Sequence, residues 1–304
     1  MKIGYAAITW GDLVGTAGGV TSVAQSFYRT NGSIAHALRD IAASGYSGVE
    51  IFDGNVVEQL PEPAQLRDLL EETKLELVSV YTGANFIYDS ILPEELNKIE
   101  RAAEAAIAFG AKHLVIGGGA QRTSPSGSSG VAENARADIE RLAIGLNLAA
   151  EIAHAAGLGS SYHPHLGTLV ETPASLDMLM EMSTIGFCPD TAHIAGGGGD
   201  PAEVIRKYGH RLTHVHLKDW DYATSTFRPL GQGQLDFPDI LLALHEEMYN
   251  DWVIVELDSF DGHPADAARQ SGRYLDEAIA SLATRSVVPS QNATPSASAQ
   301  PNRN

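Results

Sequence analysis

The sequence predicts an α/β protein in which eight parallel strands and eight helices alternate and close into a (β/α)8 TIM barrel. Short apolar runs alternate with helically spaced segments at a regular interval, and the chain contains eight such units. Closing the sheet removes both of its edges, which favours a barrel over an open sheet. A doubly wound open sheet is the alternative, but no GxGxxG fingerprint follows the first strand.

Each element has a local signal. Residues 2–9 form a mostly apolar first strand, and the Gly-, Thr- and Ser-rich residues 11–22 are expected to be a loop. The first helix follows Ser33, which can cap it, and stops at Gly45. The other strands are predicted in YSGVEIF, LELVSVYTG, KHLVIGGG, SSYHPH, IGFCPD, LTHVHLK and DWVIVEL. The other helices are predicted in PAQLRDLLEETK, PEELNKIERAAEAAIAFG, NARADIERLAIGLNLAAEIAHAAG, ETPASLDMLMEMS, DPAEVIRKYG, FPDILLALHEEM and PADAARQSGRYLDEAIASLA.

Composition limits the partners and the compartment. The 304 residues carry a net charge of −18, which repels phosphate backbones, so we expect no nucleic-acid partner. The single cysteine, Cys188, excludes an internal disulfide and is typical of a reducing compartment. The sequence contains no signal peptide and no apolar run of membrane-spanning length, so we expect a cytoplasmic protein without a membrane partner. Residues 1–284 are predicted to form the barrel, and the Pro-, Ser- and Ala-rich residues 285–304 a disordered tail.

Ligand-type side chains end the last four predicted strands. Parallel strands of a barrel end at the same face, which is where barrel enzymes build their sites. Glu256 interrupts the apolar run VIVEL, where a lone carboxylate is costly without a cation or donors around it. If these strands are neighbours, four residues can hold one divalent metal ion: His163, Asp190, His216 and Glu256. Two imidazoles and two carboxylates suit Mn²⁺, with Co²⁺, Fe²⁺, Zn²⁺ or Mg²⁺ as alternatives.

Two further side chains share a strand face with these ligands. His165 lies two residues after His163, so both point to the same side of the strand. We expect His165 to be a general acid–base or a hydrogen-bonding partner of the centre. Lys218 lies two residues after His216 and can neutralise an oxyanion or donate a proton, unless it is a solvated lysine at the strand end.

Two more candidates lie beside the predicted ligands. His193 follows Asp190 by one turn and can orient a ligand or contact the substrate. Glu50 comes late in the second strand and is a second acid–base, a ligand of substrate hydroxyls, or a structural ion-pair partner. His214 is expected deeper in the barrel. The other histidines, His113 among them, are predicted to lie on helices or loops outside the site.

Such a centre can acidify a carbon beside a ketone. A metal ion that holds two oxygens of a sugar or cyclitol polarises the carbonyl between them and favours an enediolate. Returning the proton to the neighbouring carbon isomerises the substrate, and returning it to the other face epimerises it. Expelling a β-substituent completes an elimination. The residues by themselves leave these outcomes open.

Four segments resemble a known family. GYSGVEIF, YHPHLGTLVET, DTAHIAGGGGDP and HVHLKD are similar to the xylose-isomerase-like barrel superfamily of sugar isomerases and epimerases, and particularly to its inosose dehydratase branch. The similarity covers residue 1 to about residue 280. It implies that Asp190, His216 and Glu256 are metal ligands. Many epimerases have Glu where this chain has His163, and those enzymes use that Glu as one of two acid–bases, so the resemblance favours the dehydratase branch.

The resemblance implies a lyase that acts on a keto-cyclitol or keto-sugar by proton abstraction and β-elimination. The alternatives are a sugar isomerase or epimerase, and the catalytic subunit of a C-glycoside deglycosidase, which cleaves 3-oxo-glycosides with a small partner subunit. We expect a homo-oligomer, with or without such an accessory subunit.

Two other classes of protein are less compatible with the sequence. A nuclease similar to AP endonucleases needs further His ligands on the third and fourth strands, and VSVYTG and LVIGGG contain none. The net charge of −18 also opposes DNA binding. A non-catalytic sugar-binding subunit would have no need of ligand-type side chains on four strands.

Overall fold

Eight parallel strands form the barrel that the alternation predicts. The computed structural model describes residues 1–10, 13–14, 27–30, 32–118 and 131–285. The barrel strands, β1 to β8 in chain order, are Lys2–Ala6, Gly48–Phe52, Glu76–Ala84, His113–Gly118, Gly159–Tyr162, Gly186–Phe187, His216–Leu217 and Trp252–Val255. They pair in the order β6-β5-β4-β3-β2-β1-β8-β7. Parallel bridges from Phe187 to Leu212 and from Asp190 to His216 join β6 to β7 and close the barrel. The predicted (β/α)8 barrel is confirmed.

Helices surround the barrel. Helices α1 to α10 are Ile34–Ala43, Asp53–Val57, Ala64–Thr73, Leu92–Ala108, Val131–Ala155, Pro173–Met182, Thr191–Gly196, Pro201–Tyr208, Phe237–Glu246 and Pro264–Arg285. Ser33 caps α1 as predicted, because its side chain accepts the His36 N–H. Helices α2 and α7 are not predicted, since five or six residues are too few for a helical period to be visible. Within the described residues, no helix is long and apolar enough to cross a membrane.

Part of the sequence prediction falls outside the described residues. Apart from residues 13–14, the predicted loop at residues 11–22 lies there, and so does the predicted tail beyond residue 285. The boundary between barrel and tail therefore stays a prediction.

A short hairpin extends the barrel at the end of β7. Asp219–Asp221 pairs antiparallel with Thr226–Arg228. The Asp219 carboxylate accepts the backbone N–H groups of Gly231, Gly233 and Leu235, which fixes the chain that follows the hairpin. The hairpin brings Phe227 against the carboxyl end of the barrel.

The barrel interior is unusually polar below its carboxyl end. Barrel interiors are ordinarily filled by Val, Ile and Leu. Here Glu50 accepts a 2.6 Å hydrogen bond from Ser79, and the rings of His113 and His214 stack at 5.0 Å. His113 Nε2 lies 2.8 Å from Ser161 Oγ. His113 begins β4, inside the predicted strand KHLVIGGG, and stacks on His214, so its assignment to a helix or loop outside the site is wrong. His214 lies deep in the barrel, as expected. Each of these buried polar groups has a hydrogen-bond partner, which offsets the cost of burying it.

Candidate metal centre

The structure brings the four predicted ligands together. His163, Asp190, His216 and Glu256 are buried, and one ligand-type atom of each lies within 4.8 Å of the others. His163 Nε2 is 3.4 Å from Asp190 Oδ2, and His216 Nδ1 is 2.5 Å from Glu256 Oε2. His163, Asp190 and Glu256 follow β5, β6 and β8, and His216 begins the two-residue strand β7. Barrel closure is what makes these residues neighbours.

Several atoms of this cluster are buried without a hydrogen bond. Among the described residues these atoms are both ring nitrogens of His163, Oδ2 of Asp190 and Nε2 of His216. Oδ2 of Asp190 and Nε2 of His216 have charged neighbours, Lys218 and Glu50, but no well-formed hydrogen bond to them. A buried polar atom without a partner costs about 1–3 kcal/mol. A cation held among them would compensate that cost. The donor set therefore fits a divalent metal ion, and the orphaned atoms are the observation on which that fit rests.

Asp190 is held in place by the helix that it caps. Its Oδ1 accepts the N–H groups of Ala192 and His193, both at 2.9 Å, at the start of α7. Its Oδ2 is left facing the cluster. Burial opposes ionisation of this carboxyl, but Lys218, His193 and His163 keep its pKa well below the usual range. Asp190 is thus an anion whose Oδ2 accepts no hydrogen bond and faces the His163 ring and the Lys218 ammonium.

Glu50 lies beneath His216 rather than at the open face. Its Oε1 is 3.1 Å from His216 Nε2, while its Oε2 contacts Ser79 and His214. Burial opposes ionisation, yet the charges of His216 and His214 hold the pKa of Glu50 well below its usual range. Of the three roles predicted for Glu50, the geometry favours the structural ion pair. Both carboxylate oxygens already contact protein side chains, and only 2% of the residue is exposed.

Replacing Glu50 by Gln is expected to weaken metal binding roughly 10- to 100-fold, because carboxylates that orient a ligating imidazole contribute about that much. The amide cannot offer the charge that now faces His216 Nε2. Competition with a chelator on metal-stripped protein measures the dissociation constant. Glu95→Gln is the matched control, since Glu95 is also buried and pairs with Lys98 away from the centre. Equal affinity in Glu50→Gln and wild type would contradict the assigned role.

Lys218 is buried among carboxylates. Its Nζ lies 2.9 Å from Asp258 Oδ1, 3.2 Å from Glu256 Oε1 and 3.3 Å from Asp190 Oδ2. Burial lowers the pKa of this amine, but the three carboxylates outweigh it and raise the pKa. The alternative of a solvated lysine is wrong, because the side chain is 0% exposed. Lys218 is a fixed positive charge inside the site.

A rim of less buried side chains borders the centre. The rings of His165 and His193 lie 3.7 Å apart, and His193 Nε2 is 3.1 Å from Lys218 Nζ. Phe227 lies edge-on to His193 at 5.0 Å and beneath the Lys218 ammonium at 4.7 Å. His165 and Phe227 are partly exposed, whereas His193 is buried. The half-open rim is where a small polar molecule can reach the four ligands.

Asp258 lies beside the candidate site, and the sequence prediction missed it. It pairs with Lys218 and lies 4.0 Å from His193. It follows Glu256 by two residues, which is the same spacing that separates His163 from His165. The two-residue spacing from Glu256 was therefore visible in the sequence. Asp258 lies beyond the end of β8, however, where side chains need not alternate between the two faces of a strand.

Comparison with known proteins places the chain in a family. A family model described as the xylose isomerase-like TIM barrel matches residues 38–278. The chain belongs to this family. The resemblance found in the sequence motifs is confirmed. The inosose dehydratase of Geobacillus kaustophilus (strain HTA426) is 32% identical over 269 residues, which cover 80% of this chain and 86% of that protein.

Solved structures share the fold. The probable 3-DHS dehydratase AsbF of Bacillus anthracis matches with a TM-score of 0.68 at 16% identity, over 91% of this chain and 99% of that chain. The IolI protein with a bound zinc atom matches with a TM-score of 0.65 at 16% identity, over 93% and 99% of the two chains. At these identities the similarity shows a common barrel.

Proposed function

We propose that this family member is a divalent-metal-dependent lyase that removes water from a keto-cyclitol or keto-sugar. The observation that carries the proposal is the buried cluster of His163, Asp190, His216 and Glu256, with its orphaned ligand atoms, beside a half-open rim of acid–base side chains. The similarity to inosose dehydratases over most of both chains supports a keto-cyclitol as the substrate class.

The proposed cofactor is a single divalent ion, with Mn²⁺ as the expected metal and Co²⁺, Fe²⁺, Zn²⁺ or Mg²⁺ as alternatives. The zinc atom bound to a protein of the same fold supports a divalent cation in general. When bound, such an ion would supply Lewis-acid chemistry that acidifies the C–H bond beside the ketone. His163, Asp190, His216 and Glu256 would hold it.

His165, on the rim of the centre, carries out both proton transfers. His165 is partly exposed and is the base that takes the proton from the carbon beside the ketone. The electron pair of that C–H bond forms the new double bond as the β-hydroxyl leaves. The same imidazole returns the proton to the departing hydroxyl, which leaves as water.

Lys218 stabilises the negative charge that develops on the ketone oxygen. Its raised pKa keeps it protonated, so it acts as a fixed charge more readily than as a proton donor. His193 supports it, because burial and the nearby Lys218 charge lower the pKa of His193 and keep the ring neutral beside the ammonium. Glu50 acts on the substrate only through His216.

Turnover of an inosose by metal-reconstituted protein tests the function. We expect growth of an ultraviolet-absorbing enone or dione, dependent on added Mn²⁺, with metal-stripped protein as the control. Interconversion of polyols without an absorbing product would replace the lyase by an isomerase or epimerase. Release of an aglycone from a 3-oxo C-glycoside in place of inosose dehydration would favour the deglycosidase alternative. The homo-oligomer and the accessory subunit stay predictions.

A further inference from the structure

A second group of ligand-type side chains lies apart from the buried centre. It consists of His36 and Asp40 on α1 and His263, the residue before α10. One ligand-type atom of each residue lies within 4.8 Å of the others. The group shares no residue with the buried cluster.

The positions of the three residues follow from local structure. His36 and Asp40 are four residues apart on α1, which places both on one face of the helix, with His36 Nε2 3.4 Å from Asp40 Oδ2. The His263 ring centroid is 6.2 Å from that of His36. The Ala265 N–H lies 3.3 Å from His263 Nδ1 and helps to hold the ring at the start of α10.

Asp40 has an outer partner of the kind that supports metal ligands. Trp10 Nε1 donates a 2.9 Å hydrogen bond to Asp40 Oδ2. Such hydrogen bonds fix the orientation of a ligating carboxylate. The indole also comes from the segment after β1, so the group connects three separate parts of the chain.

An ion pair alone does not account for this arrangement. An exposed His–Asp pair contributes little to stability and needs only two residues. Among the described contacts the ion pair joins His36 and Asp40 alone, so it leaves the position of the His263 ring unexplained. Two imidazoles and one carboxylate form a donor set for a cation, and the protein's charge of −18 favours cation binding.

We propose that His36, Asp40 and His263 form a second, surface metal site that binds Zn²⁺ or Cu²⁺ and ties α1 to the segment 259–263. Three protein ligands with solvent in the remaining positions suit these ions, because His36 and His263 are exposed. The affinity order of first-row ions places both well above Mn²⁺ at such a site. The segment begins beside Asp258, which contacts Lys218, so an ion here would brace the rim of the buried centre.

Zinc titration of metal-stripped protein tests the surface site. We expect about two equivalents in wild type and about one in the His36→Ala/His263→Ala variant, as loss of two of three ligands removes binding. His245→Ala, an exposed histidine on α9, is the matched control and should keep both equivalents. The proposal is overturned if the double variant binds as much zinc as wild type.

Two further readouts separate this site from the buried one. In Asp190→Asn protein, Cu²⁺ should give an electron paramagnetic resonance spectrum with two nitrogen ligands, reduced to one by adding His263→Ala. Zinc should also slow amide hydrogen exchange in residues 259–263 of wild type and leave it unchanged in the double variant. A copper spectrum that His263→Ala does not alter, or exchange that zinc slows equally in both proteins, would refute the assignment.

Discussion

Replacing Asp190 by Asn is expected to remove the buried metal and to lower kcat/KM on the lyase substrate on the order of 10³-fold, the scale seen when a main electrostatic stabiliser is lost. Asn has no charge to offer the cation, yet it caps helices as well as Asp does. It can keep the bonds to the Ala192 and His193 N–H groups, so the barrel should remain folded. Metal content after dialysis and initial rates are the measurements.

Asp200→Asn is the matched control for this change. Asp200 caps α8 in the same way, with its Oδ1 accepting the N–H groups of Ala202 and Glu203, and it belongs to no ligand cluster among the described residues. It should keep full metal content and activity. If Asp190→Asn retains its metal, the ion is held elsewhere and the assigned ligand set is wrong.

Replacing Lys218 by Met is expected to act in opposite directions on metal binding and on catalysis. The ammonium lies 3.2–3.3 Å from carboxylate oxygens of two predicted ligands, so its removal ends a repulsion and should tighten metal binding roughly tenfold or more. The same change removes the charge that we propose stabilises the developing oxyanion, so kcat should fall roughly 10²–10³-fold. Without metal, the unpaired carboxylates should lower the free energy of unfolding by about 3–5 kcal/mol.

Lys98→Met separates these effects from simple loss of a buried lysine. Lys98 is also buried and lies 3.0 Å from Glu95, outside the centre. This variant should lose stability while its metal affinity and kcat stay unchanged. A Lys218→Met enzyme with wild-type kcat would show that the ammonium has no part in the reaction, whatever its effect on stability.

The grouping of the four candidate ligands could be predicted because it depends on simple rules. Strand alternation places His163 and His165 on one face, and barrel closure brings the ends of distant strands together. These rules need only the approximate position of each strand. They were sufficient to group His163, Asp190, His216 and Glu256, which the structure brings within 4.8 Å.

Contacts that depend on register could not be predicted. The pairing of β2 with β3 shifts between Val49 and Glu50, and this irregularity places Glu50 opposite Ser79. A one-residue shift of this kind leaves no mark in the sequence pattern. The ion-pair position of Glu50 therefore emerged only from the structure. Asp258 was missed for a related reason, since its direction depends on how the chain leaves β8.

Anomalous diffraction at the manganese edge, from crystals of protein loaded with one equivalent of Mn²⁺, tests the central claim most directly. We predict one strong peak within roughly 2.0–2.4 Å of ligand atoms from His163, Asp190, His216 and Glu256. A manganese peak bound by other residues, with these four side chains still in the contacts described above, would contradict it.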